Sequence, residues 1–120
     1  MATVYKASFS EKKNYSTCDS EVVKITKNGT ALDLSGAKAS MVIREIPSGK
    51  IMEHLTTENS GLEITDEAGG ELTINGRFLN YPNTTKVYGC DIRFELPGDV
   101  YKTYIEGTYP ILATYQKPVE

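Results

Sequence analysis

Strict alternation is the feature that most constrains this chain. In Tyr88-Gly89-Cys90-Asp91-Ile92-Arg93-Phe94-Glu95-Leu96 every second residue is apolar and the residues between are small or charged. Successive side chains of a strand point to opposite faces, so a period of two marks a strand with one buried and one wet face. The same period recurs nearly everywhere. Ala37, Ala39, Met41 and Ile43 form a second stripe, with Val42 as the exception, and Val23 and Ile25 form a third. Ile51 with Leu55, Leu62 with Ile64, and Leu72 with Ile74 form shorter ones. Tyr101, Thr103 and Ile105, then Tyr109, Ile111, Ala113 and Tyr115, close the chain, and Val4 to Phe9 opens it. That predicts eight or nine strands.

Turn signals separate the stripes at about ten-residue intervals, the spacing of a sandwich or barrel. Asn28-Gly29 is the strongest two-residue hairpin signal, because such turns need positive φ. Pro47-Ser48-Gly49, Asn59-Ser60-Gly61, Ala68-Gly69-Gly70 and Pro97-Gly98-Asp99 mark further reversals. Gly76 to Tyr81 is the one candidate for a short helical turn. The stretch between Ile74 and Thr85 shows no clear alternation, as expected of a crossover between two sheets. The predicted fold is an all-β, two-sheet antiparallel β-sandwich, immunoglobulin-like, forming a single domain over 1–120. Met41, Ile43, Cys90, Ile92, Phe94 and Ile105 are its predicted core.

Composition narrows the function. The chain has 120 residues, enough for one domain, and is 39% hydrophobic and 24% charged. Its apolar runs are too short for a membrane-spanning helix, so no membrane insertion is expected. The opening Met1 to Lys6 has neither the basic patch nor the apolar stretch of a signal peptide, and export by that route is not expected. Net charge is −3 with both signs interleaved, and no Lys/Arg cluster exists to meet a phosphate backbone, so no nucleic-acid partner is expected.

Cys18 and Cys90 have roughly the separation of an immunoglobulin disulfide, and Tyr88-Gly89-Cys90 mimics the tyrosine-corner tripeptide. Asn14, Asn28 and Asn83 open Asn-x-Ser/Thr sequons. Face parity argues the other way: Cys90 shares the Ile92/Phe94 face, whereas Cys18 lies in a polar stretch off the Val23/Ile25 face. Both cysteines are expected to be free thiols.

Signals for chemistry are weak. His54 is the only histidine, no Ser or Cys stands in a nucleophile context, and no cysteine pair has metal-ligand spacing. Asp91, Glu95 and Glu106 are candidates for a cross-strand carboxylate pair, but outward acids on strands more often solubilise and protect edges. No catalytic residue, metal or cofactor is expected. Tyrosine is in excess, with eight against three phenylalanines and no tryptophan. Exposed tyrosines suit interfaces and sugar-binding surfaces; the plainer reading is cross-strand packing. Leu112, on what should be the wet side of the last strand, suggests a covered surface. Tyr104, Tyr109 and Leu112 are therefore the predicted interface residues, on terminal strands expected to present open edges.

Leu32-Asp33-Leu34-Ser35-Gly36-Ala37, opening a strand that ends in Ile43-Arg44, resembles small β-sandwich domains of tailed-phage virion proteins. Leu55 to Ile64, Gly70 to Ile74, Val87 to Phe94 and Glu106 to Ile111 are similar to the later strands and turns of that pattern. Related domains occur at the N-terminus of baseplate upper proteins and as tail, neck or fibre-associated proteins. The resemblance spans most of residues 20–115, its motifs are structural, and Ser16 to Ser20, with its cysteine, departs from the usual polar opening. It implies a non-enzymatic structural or adaptor component of a virion, assembled in the host cytoplasm, with other virion proteins and copies of itself as partners. A carbohydrate- or receptor-binding module using surface tyrosines is the alternative; a secreted immunoglobulin-like domain and a hydrolase are further ones.

Overall fold

The structure, a computed structural model, describes residues 5–27, 29–98 and 100–114, and only the backbone of residues 5–8, 27, 103 and 104. Its described elements are all strands: β1 (Tyr5–Ser8), β2 (Lys12–Lys13), β3 (Glu21–Lys24), β4 (Thr26–Lys27), β5 (Thr30–Ala31), β6 (Lys38–Arg44), β7 (Ile51–Thr56), β8 (Leu62–Asp66), β9 (Glu71–Ile74), β10 (Lys86–Leu96) and β11 (Val100–Leu112). The major sheet runs β1-β11-β10-β6-β7, with β2 also paired to β11, and the minor sheet runs β3-β9-β8. β4 and β5 form the hairpin expected at Asn28-Gly29, with Gly29 at φ 78°.

The core lies between the sheets. Met41, Ile43, Ile92 and Phe94 are fully buried, with Cys90 and Ile105 nearly so, as their period predicts. Leu62 opposes Ile74 and Ile64 opposes Leu72 in the minor sheet. Removing a side chain of this size from water contributes about 1.5–3 kcal/mol. The two-sheet all-β sandwich is therefore the fold, set by the alternation of these strands.

Several expectations need correction. The strands number eleven among the described residues, because three two-residue pieces are strands too. Tyr101 to Ile111 lie on one continuous strand, and β1 and β2 pair with it in parallel, so the sheet is not wholly antiparallel. β11 is flanked by β10 on one side and β1 and β2 on the other. Its edges are occupied, contrary to the open terminal edge expected there. The expected strand positions at Val4 and Tyr115 lie outside the described residues.

Two bulges reverse the parity of whole stripes. The β10–β11 register slips between Ile92 and Arg93, leaving Tyr104 without a cross-strand partner on β10. Tyr101 consequently faces outward beside Glu95, whose carboxylate accepts its hydroxyl at 2.9 Å. The β6–β7 register slips between Ile43 and Arg44. Ile51 is thereby outside, half exposed, and Glu53 points inward on the face of Leu55.

The expected helical turn is absent at Gly76 to Tyr81. That segment is extended, with Tyr15 N–H donating to the Leu79 carbonyl, Leu79 N–H to that of Ser16, and Cys18 N–H to that of Arg77. It is the crossover from the minor sheet to the major one, and it runs as a ribbon against residues 15–18.

Candidate functional site

Two places concentrate charged or exposed apolar chemistry, one inside the sandwich and one on its outer face. Inside, Glu53, which shares the inward face of β7 with Leu55 and lies opposite Ile43, reaches the crossover. Its carboxylate accepts from Arg77 Nε and Nη2, both at 2.7 Å, in a bidentate pair. Tyr81 donates its hydroxyl to the same carboxylate, and Arg77 Nη2 also donates to Tyr109 Oη at 3.0 Å. Lys12, almost fully buried, lies 4.4 Å from the Tyr109 ring centroid and pairs with Glu21. Burial and the Glu53 bond push the Tyr81 hydroxyl far above its ordinary value; burial does the same for Tyr109, against the opposing pull of Arg77. Both Glu53 oxygens are engaged by donors, so this carboxylate is a clamp and offers no free base. The network ties the crossover to the major sheet.

Asn14 does similar work. It is completely buried; its side-chain amide accepts from Tyr81 N–H at 2.8 Å and donates to the Tyr81 carbonyl at 2.7 Å. Asn83 pairs in the same two-way manner with Thr114. Two of the three sequon asparagines are thus consumed by the fold, and Asn28 lies outside the described residues. Cys18 and Cys90 are free thiols.

The predicted interface residues do not form one surface. Tyr109 is fully buried, its ring against Phe9 and its hydroxyl on Arg77, because it shares the inward face of β11 with Ile105 and Ile111. This corrects its assignment to an interface. Leu112 falls on the opposite face of the strand and is half buried. Tyr104 sits at the bulge, and its side chain lies outside the described residues. Tyr81 and Tyr88 are core residues in edge-to-face contact at 5.0 Å, so Tyr101 is the exposed tyrosine among those whose side chains are described. His54 is exposed on the outer face. Asp91 and Glu106 are direct cross-strand partners there, whereas Glu95 pairs with Tyr101 and Lys38 farther along β10. Among the described residues no group of three His, Cys, Asp or Glu side chains could hold a metal ion.

The outer face of the major sheet carries the second place, a cleft of about 540 Å³. Its floor is Gly89, with Asp91 two residues along the same strand and Val42 opposite Asp91 on β6. The loop after β6 forms one wall: Ile46 lies over Gly89 so closely that a Cβ there would come within 2.7 Å of its Cδ1. Arg44 and Glu106 complete the rim. Ile46, Ile51 and Val87, around this end of the sheet, are 56%, 50% and 53% exposed. Sequence reasoning missed this patch because the strand parity that hides Ile51 is undone by the bulge, and because Ile46 belongs to a loop.

No family model and no curated protein matches the chain. Among solved structures it is similar to the crystal structure of CopC from Methylosinus trichosporium OB3b, with 10% identity over 90% of this chain and 89% of that one and a TM-score of 0.47.

Proposed function

We propose that this chain is a non-enzymatic structural or adaptor component of a tailed-phage virion, in the tail, baseplate or neck, acting through protein–protein contacts in a multi-copy assembly. The virion assignment rests on the resemblance of residues 20–115 to that group of sandwich domains. The observation that carries the contact role is the outer face of the major sheet, where a cleft walled by Val42, Ile46 and Pro47 among charged side chains lies at the end of the sheet that also exposes Ile51 and Val87. Contiguous apolar surface rimmed by charge marks interaction sites. The interior polar network supports a role without chemistry, since its carboxylate is saturated with donors. The glycan-binding reading has less to stand on, with Tyr81, Tyr88 and Tyr109 consumed by the core.

The test is electron microscopy of purified particles from the phage that encodes this chain, with mass spectrometry of the same particles. The expected result is the chain at a symmetric, multi-copy position in the tail, baseplate or neck. Particles that are complete and infectious without it would overturn the reading.

A further inference from the structure

We infer that the outer face of the major sheet is the seat of a two-fold contact with a second copy of this chain, an inference that rests on the assembly reading above and gives it a surface. Charge is the first argument. Across the sheet, Arg44 occupies one row beside Gly89, and Asp91 and Glu106 occupy the next row as direct neighbours. Arg44 is exposed, with its guanidinium donating to the Gly49 carbonyl at 2.9 Å. A two-fold contact is self-complementary: if residue i meets residue j, then j meets i. An axis passing between those two rows lays each Arg44 against the other copy's Asp91, and the pairing occurs twice. Had both rows carried one sign, the same docking would be repulsive.

Area is the second argument. Five strands lie abreast, and β10 is eleven residues long. With strands about 4.8 Å apart and a rise of about 3.4 Å per residue, the five strands, four to thirteen residues long, together cover roughly 670 Å². With the loops at their ends, that comes close to the roughly 800 Å² per partner of a standard specific contact. Shape is the third. Ile46 stands at the edge of a cleft floored by a glycine and Val87 is exposed on the same face of β10, so each copy offers both aliphatic groups and a recess.

The experiment is sedimentation equilibrium of the full chain and of two charge reversals, Arg44→Glu and Asp91→Lys, each checked for folding by circular dichroism. The wild type is expected to dimerise. Each reversal alone puts like charges together twice and should weaken dimerisation by about tenfold or more. A one-to-one mixture of the two variants restores both pairs and should recover dimers. In the mixed dimer the introduced glutamate meets the introduced lysine, and the native Arg44 of one variant meets the native Asp91 of the other. High salt should weaken the wild-type dimer. A wild-type chain that stays monomeric at about millimolar concentration, a dimer indifferent to both reversals, or a mixture no tighter than its parts would overturn this surface. None of these results removes the chain from a virion, which particle microscopy tests separately.

Discussion

Strand β10 and the crossover that leads into it are both threaded through the same core, and they are held there by different forces. β10 alternates buried and solvent-facing residues from Tyr88 to Phe94, and its inward groups are apolar throughout. The crossover also alternates, with Arg77, Leu79 and Tyr81 inward and Phe78 and Asn80 outward. There the inward set contains a guanidinium and the outward set a half-exposed phenylalanine. β10 is positioned by non-directional burial, while the crossover is positioned by directional bonds from Glu53 and Asn14, residues 24 and 67 positions away from their partners. Burial tolerates an imperfect fit; a buried polar bond fails when one partner is lost.

The largest effect should come from breaking the apolar side. Ile92 is completely buried among Met41 and Ile105. Ile92→Asp introduces a carboxylate with no partner, a cost comparable to a small domain's total stability of about 5–15 kcal/mol, and should abolish folding. Arg93→Ala, on the outer face, should change stability by about 0.5 kcal/mol or less. Urea denaturation of both variants checks the pair; the reverse order of effects would mean that the strand register is wrong by one residue.

Next comes the clamp. Glu53→Ala leaves the Arg77 guanidinium buried without a counter-charge and should cost about 3–5 kcal/mol. Adding Arg77→Met to Glu53→Ala removes the orphaned charge and should recover part of that loss. If the double variant is less stable by the full sum of the two single changes, the two side chains do not act as a pair. Asn14→Ala should cost less, about 1–3 kcal/mol, because it strands only the neutral N–H and carbonyl of Tyr81. A loss below about 0.5 kcal/mol would show that water replaces the amide.

The same contrast explains what the residues reveal in advance. Met41, Ile43, Ile92 and Phe94 announce their burial because hydrophobicity and face agree. Arg77 and Glu53 conceal theirs, since a charge read in isolation belongs to the wet face and only the partner, far away in sequence, makes the inward position tolerable. Tyr101 and Ile51 mislead for another reason: one extra residue at each bulge shifts every side chain beyond it to the other face. The exposed cleft is invisible in the sequence because Ile46 and Gly89 meet only after β6 and β10 have paired.

The smallest perturbation uses the two cysteines, one in each region, and leaves stability untouched. Cys90 sits on the inward face of β10, where burial, followed by the nearby Asp91 charge, pushes its thiol from 9.0 up to about 12. Cys18 flanks the crossover, half buried, with Arg77 Nη1 3.7 Å from its sulfur. Thiolate is the reacting form, so at pH 8 the shift of Cys90 from 9.0 to about 12 leaves it roughly a thousandfold less thiolate, and its burial shields it further than the half-buried Cys18. A maleimide or disulfide reagent at pH 8 should therefore modify Cys18 first and Cys90 only as the sheet opens. In denaturant both should react without prior reduction, at similar rates. Mass spectrometry of the partially modified chain locates the first label. Equal native rates would mean that β10 opens as readily as the crossover, and the distinction between burial and directional bonding would then have no counterpart in local stability.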